Sequence, residues 1–569
     1  MKKILICLII LWLIGIIGLN GVNKKVIYSK SADIFLEIPL SIFSREPAES
    51  FLIPIIIINK SELDKKIIEV EFYKEDGSLI FKKKIDEIIK GANIKLSDDE
   101  IRDKIGLVIP DRNIIDKAYN LLKESKLLKK GDERNKKVEL SWYLLSMNYK
   151  EKVVDEYERR EILKNLKILS YELSIKDLNL KLIPPDFINI KIKFTCLNSD
   201  NSFTSIEKQT TLFYLTSLPS QYGWYPGDGH MHTKYSDGLY SILQRRNQAY
   251  NSGLKWIIIT DHGWNKLINN WSQYKTDCTN AQNQTPNITV CPGEEIATSE
   301  NSHYLSYMMD NISTPFRDLD YNKYWTIYWI LRSELLGFIA HPYSTPYPWE
   351  DWDDYYVTYN NSRKNAPRGI ELISYNYIIE DDKIQCWDNY LTTYISNTMA
   401  DTNHRFCVGL GNSDDHILTI GYNMTYIYTG SSQPPGTYRT AVYNAIERGR
   451  ATVSSDGSLL IHKITTGGTY LPGYYMQKSS AGYVTVNVYA KRVISTCEWV
   501  EIKLIISNGT QIYDYIYNQY EINKNYSIYL SQDTYVRAQI TFCHYVDGVS
   551  FYSYCFSNPI FIDFPPYGQ

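Results

Sequence analysis

The hydrophobic rhythm of the chain changes several times along its length, and each change marks a segment. A basic start at Lys2 and Lys3 precedes an apolar stretch from Ile4 to about Val22. That stretch is long for the core of a signal peptide and just long enough to span a bilayer. No small-x-small cleavage site is evident, so a cleaved signal and an uncleaved anchor through residues 4–22 both stay open. Lys24 and Lys25 balance the leading lysines and leave orientation undecided by charge alone. Beyond the leader, DIFLEIPLSIF, SFLIPIIIIN and IIEVEFYKEDGSLIFKKKI read as strands, with EDGS as a turn. From about 97 to 169 the spacing becomes helical, as in IIDKAYNLLKESKLL and EYERREILKNLKIL. Strands return at FINIKIKFTCL and KQTTLFYLT, so residues 25–222 predict a mostly-β domain interrupted by helices. Its charge runs, SELDKK and KKGDERNKK, suit solvated faces and carry no evident chemistry.

The middle of the chain has another pattern. WIIIT, LLGFIA and FCVGL are short apolar runs bounded by turn residues, the mark of buried strands, and each is followed by polar groups. Polar residues at such strand ends supply nine candidate metal ligands: His230, His232, Asp237, His262, Glu295, His303, His341, Asp414 and His416. Residues i and i+2 of a strand project to one face, so His230 and His232 can serve one ion or two adjacent ions. In a barrel of parallel strands, the C-terminal ends converge on one mouth. Mixed imidazole and carboxylate donors suit zinc, manganese or iron, and bridging carboxylates let several cations sit close together.

The ordered set HMH, SDG, TDH, GEE, a lone His303, AHP and SDDH resembles the pattern of the polymerase and histidinol phosphatase (PHP) superfamily over roughly residues 223–457. A single HxH arises often by chance, whereas the full ordered set is specific. The resemblance implies an α/β fold, a distorted (β/α)7 barrel, binding two to three divalent ions through those nine residues. TAVYNAIERGRATVSSDG, VEIKLIISNGTQIYD and FSNPIFID are similar to the branch containing carbaryl hydrolase-like proteins. That branch implies a C-terminal β-sandwich over 458–569.

Composition adds less. At 569 residues the chain predicts three or four domains, and 44% hydrophobic with 22% charged residues is ordinary globular material. A net charge of −3 points to no nucleic-acid partner, because polyanion binding needs clustered basic excess. Eight cysteines lie outside the leader: Cys196, Cys278, Cys291, Cys386, Cys407, Cys497, Cys543 and Cys555. An even count predicts disulfides in an oxidising compartment, with Cys278 to Cys291 and Cys386 to Cys407 as pairs. N-x-S/T sequons at Asn59, Asn270, Asn283, Asn287, Asn311, Asn360, Asn423, Asn508 and Asn525 are compatible with glycosylation there. The predicted location is therefore extracellular or at the cell surface, secreted or anchored.

Two insertions, 263–290 and 343–368, follow TDH and AHP where loops set substrate choice. Arg363, Lys364 and Arg368 could neutralise an anionic substrate there, and Lys266 and Arg405 are weaker cases of the same kind. Trp349 and Trp352 could wall the same mouth or pack the loop. The leading reading is an exported metal-dependent hydrolase of a small-molecule or envelope-derived ester, with phosphoesters first. Carboxyl ester, carbamate or amide hydrolysis is the alternative, and a non-catalytic surface-binding protein the second. No residue beyond the ligands is legible as the proton shuttle.

Overall fold

The computed structural model describes residues 33–564, except 149, 152–153, 155, 177, 179–182, 287, 301, 343–366, 375–376, 379–380, 399–405, 418–419, 431–435, 437, 508, 510 and 547–548. The leader lies outside the described residues. Among those described, no helix is long and apolar enough to cross a membrane.

The N-terminal region is β-rich, as its alternation predicts. Ile34–Glu37, Ser50–Asn59 and Leu166–Ser174 form one sheet, and Ser41–Arg45, Phe203–Leu215, Asp186–Leu197, Lys65–Lys74 and Leu79–Ile89 form another. Phe51, Ile53, Ile55 and Ile57 from the first sheet share a core with Val70, Phe72, Ile192 and Leu212 from the second. The run SFLIPIIIIN has no polar face because its other face is buried too. Ile56 and Ile58 pack with Ile101, Ile105 and Ile162 of the intervening helices and with Leu239, Tyr240 and Ile417 of the middle region. Those helices are Asp98–Ile105, Arg112–Leu127, Asp132–Asn148 and Glu156–Leu163. The first starts at a capping box, Ser97 with Glu100, and stops at Gly106, whose φ of 84° is left-handed.

In the middle region Trp224–Asp228, Trp256–Ile259 and Thr289–Pro292 run parallel, as do Leu336–Ile339, Gly369–Ser374 and Val408–Gly411. Helices Ile242–Asn251, Trp271–Gln282, Lys323–Arg332 and Asp381–Thr398 lie between successive strands in the chain. The whole is mixed α/β. The strands fall into two curled sheets, bridged at Met231 to Asp415 and at His262 to Glu295, rather than one continuous ladder. Residues 263–290 are not the polar loop expected. Trp271, Tyr274 and Cys278 are buried on helix Trp271–Gln282, so this segment is largely a packed crossover.

The C-terminal strands share a core of Val484, Val486, Val488, Val500, Ile502, Ala538 and Ile540 between two sheets. One of these sheets is not separate from the middle region. Ala451–Ser454 pairs with Val549–Ser557, which carries the hydrogen-bonded ladder onward to Thr534–Val546 and Trp499–Ile506.

All eight cysteines outside the leader are free thiols in this structure, so the expected pairings of Cys278 with Cys291 and of Cys386 with Cys407 are not formed. Burial pushes the Cys291 thiol up to about 12, which keeps it protonated. Two sequons are corrected as well. Asn59 is buried with its amide donating to the Leu63 and Ile89 carbonyls, and Asn423 is buried, so neither side chain is presented for glycosylation.

Candidate metal centre

All nine candidate ligands converge, and none is more than 5% exposed. The first two come from the chain leaving Trp224–Asp228. Here the Asp228 carboxylate accepts from the His230 and Ser413 amides, fixing the turn from which both imidazoles project. Asp237 is delivered by a clamp. Asp261 accepts from the amides of Thr233 and Ser236 and from both hydroxyls, folding the SDG loop back on the strand end. Gly238 is required where the loop crosses: a Cβ there would sit 2.3 Å from the His232 carbonyl carbon.

Three groups of ligating atoms lie within 4.8 Å of one another: His232, Asp237, His262 and His416; His230, His232, Glu295 and Asp414; and His262, Glu295 and His303. His232, Glu295 and His262 each belong to two groups, so the three positions share walls. Glu295 Oε2 stands 3.2 Å from His230 Nε2 and 3.0 Å from His232 Nε2. Its Oε1 is 2.9 Å from His303 Nδ1 and 3.0 Å from His341 Nε2. Asp414 Oδ1 lies 3.0 Å and 3.1 Å from the same two nitrogens of His230 and His232, and His416 Nε2 is 3.2 Å from Asp237 Oδ2. His341 and Asp414 have φ of 26° and 53°, left-handed backbone that non-glycine residues adopt at a cost of about 1–3 kcal/mol. Both are candidate ligand positions, where such a backbone conformation aims the side chain into the cluster.

Electrostatics bind the cluster together. Burial opposes a charged His230, yet Asp414, Glu295 and Glu371 outweigh it and hold its pKa well above the ordinary value. His232 is likewise desolvated but raised to about 10 by Asp414, Glu295 and Asp237. Burial would raise Glu295, Asp414 and Asp237, but the imidazoles hold all three well below the carboxylate range. His416 is lowered by burial and by the Arg159 guanidinium. Six imidazoles and three carboxylates are a donor set for borderline divalent cations. The His230 and His232 Nε2 atoms face each other at 3.3 Å, an approach that ligation of a common ion explains directly. The residues present therefore fit a metal.

Several residues that support the site escape a reading of motifs. Glu371 Oε1 pairs with His230 Nδ1 at 3.0 Å and accepts from Asn412, while Oε2 accepts from the His341 amide. It fixes one ring and one ligand backbone together. Its signal was a lone carboxylate within the apolar strand GIELIS. Arg159 had none: from helix Glu156–Leu163 its Nη1 reaches within 3.4 Å of Asp237 Oδ2.

Of the expected anion-binding residues, Arg363 and Lys364 lie outside the described residues, as do Trp349, Trp352 and Arg405. Arg368 is placed differently. It precedes the strand Gly369–Ser374, at the end opposite the ligands, where its guanidinium donates to the Phe406 and Glu447 carbonyls and lies over the Phe406 ring. It is a buried structural arginine. Lys266, by contrast, lines an open cleft of about 380 Å³ that includes Asp237.

No protein-family model matches the sequence, and no curated protein matches it either. Among solved structures, the chain is similar to a two-domain protein from Bacteroides vulgatus containing a predicted PHP-like metal-dependent phosphoesterase, at 14% identity and TM-score 0.34, over 59% of this chain and 97% of that one. A protein from Bifidobacterium adolescentis, named as a candidate metal-dependent phosphoesterase, is similar at 13% identity and TM-score 0.25, over 40% of this chain and 96% of that one. An amidohydrolase from Chromobacterium violaceum is similar at 12% identity and TM-score 0.25, over 34% and 89%.

Proposed function

We propose that the chain is a multinuclear metal-dependent hydrolase acting on phosphate esters. The observation that carries this reading is the convergence of five imidazoles and three carboxylates into three overlapping, buried groups, with a sixth imidazole, His341, 3.0 Å from Glu295. Two or three divalent cations held there, as zinc, manganese or iron, would supply an activated water and neutralise charge built up on the ester. The chain's own residues do the rest. Glu295 and Asp414 each face more than one imidazole and would help hold the cations there. Glu371 and Asp261 hold the ligand-bearing segments in register. Burial excludes bulk water from the ring of ligands.

The same reading takes the middle region as a distorted (β/α)7 barrel and the C-terminal sheets as an appended β-sandwich. It places the bulk of the chain outside the cell, secreted or anchored through residues 4–22, acting on a small-molecule or envelope-derived ester without nucleic acid. The deciding experiment is elemental analysis of the purified chain, followed by assays of a phosphomonoester, a phosphodiester and a carboxyl ester after chelation and metal return. Two to three bound ions and metal-dependent phosphoester turnover are expected. No bound metal and no reconstituted activity overturn the reading; turnover of the carboxyl ester alone moves it to ester, carbamate or amide hydrolysis.

A further inference from the structure

The segment that carries Arg159 does more than touch Asp237. Immediately after it, Leu163 to Ile168 forms one wall of the 380 Å³ cleft, and the loop from Lys234 to Leu239 with Trp264 and Lys266 forms the other. Four lysines line this space: Lys164 and Lys167 from the N-terminal region, Lys234 and Lys266 from the middle region. Of the nine ligands Asp237 alone lines it, so the lysines stand beside the ligand ring and not within it. The walls are tied together below, where Ile162 packs with Leu239 and Arg159 meets Asp237.

The charge in the cleft is incompletely balanced. Lys164 pairs with Glu161, and Lys167 with Glu87 at 2.8 Å. Among the described residues no carboxylate lies within the 4.0 Å ion-pair distance of the Lys234 or Lys266 ammonium. Unpaired like charges facing one concavity repel, and a multivalent anion relieves that repulsion while gaining charge-assisted hydrogen bonds. Trp264 stacks on His262 at 5.2 Å and 15°, carrying the wall of the cleft to the ligand ring.

We propose that the N-terminal region completes the substrate site, and that Lys164, Lys167, Lys234 and Lys266 hold a second anionic group of the substrate while its scissile ester lies at the ligand ring. The inference rests on the hydrolase reading and narrows it. Substrates are phosphoesters that carry a further phosphate or carboxylate, and simple monoanionic esters use only half of the site.

Binding separates this inference from the reading it rests on. Tripolyphosphate and orthophosphate are titrated calorimetrically into the chelated, metal-free full chain at low ionic strength. Tripolyphosphate binds more tightly than orthophosphate, and the double variant Lys234→Ala/Lys266→Ala loses about tenfold or more of that affinity, as expected for two charge-assisted contacts. Lys234→Arg/Lys266→Arg restores it, and Lys503→Ala, in the C-terminal sheet, leaves it unchanged. Equal affinity in the wild type and the double alanine variant, with unchanged circular dichroism, overturns the inference, as does an equal loss in Lys503→Ala. Because the assay needs no turnover, absence of hydrolysis would sink only the enzymatic reading.

Discussion

His232 and His462 are both fully buried imidazoles, yet their pKa values part in opposite directions. His232 stands at about 10 and His462 at about 4. Burial works against the charged ring in both cases. At His232 three carboxylates outweigh it, Asp414, Glu295 and Asp237. At His462, inside the C-terminal sheets, the Val536 carbonyl compensates only in part, and Arg537 pushes the same way as burial. His544 behaves likewise, at about 4, with Arg492 beside it. Carboxylates converge on His232, whereas His462 and His544 are held neutral by burial within the C-terminal sheets.

The sharpest way to break the comparison is at the ligands. If the chain is the proposed metal-dependent hydrolase, His230→Ala or Asp414→Ala removes a donor to ions that would supply several kcal/mol of transition-state stabilisation, and kcat/KM for a phosphoester is expected to fall on the order of a thousandfold. Far-UV circular dichroism stays unchanged, because neither change empties an apolar core. A variant retaining wild-type turnover would remove that residue from the ligand set.

The histidine in the C-terminal core has its effect on stability instead. The His462 pKa is about 4 folded, against about 6.5 unfolded, so between those values the unfolded chain takes up a proton that the folded chain refuses. Stability is full above about pH 6.5 and declines as pH falls toward 4, by roughly 3 kcal/mol from this group. In urea unfolding monitored between pH 7 and pH 4.5, His462→Gln flattens that decline. An identical pH slope in the variant would show the ring to be accessible to protons in the folded state.

A smaller effect belongs to Glu371, which orients a ligand without being one. Glu371→Gln keeps the size of the side chain but has one acceptor oxygen for the two donors, the Asn412 amide and the His341 backbone N–H, and loses the charge against His230, lowering metal affinity by about 10- to 100-fold. Chelator competition reads this directly. The loss in turnover follows metal occupancy and disappears at saturating metal.

Much of this was legible because it is local. The nine candidate ligands sit in short motifs whose i, i+2 spacing or position after an apolar run already implies a common direction, and the structure places all nine side chains close together. The strands Trp256–Ile259 and Leu336–Ile339 lie within WIIIT and LLGFIA, and Val408–Gly411 starts inside FCVGL and ends one residue beyond it, because short apolar runs between turn residues have few other stable forms. The doubly buried run Ser50–Asn59 was legible as a strand, but not what its second face met.

What the sequence by itself determined, then, is the inventory: which side chains can ligate, which segments alternate or wind, and in what order they come. The tertiary structure alone decided their partners. Arg159 meets Asp237 across 78 residues and Glu371 meets His230 across 141. Arg368 turns from an anion-binding candidate into a buried brace, and Asn59 from a glycan acceptor into a bonded core amide. Periodicity and residue type act over a few neighbours along the chain, whereas desolvation, pairing and charge compensation act through space between segments that only packing brings together.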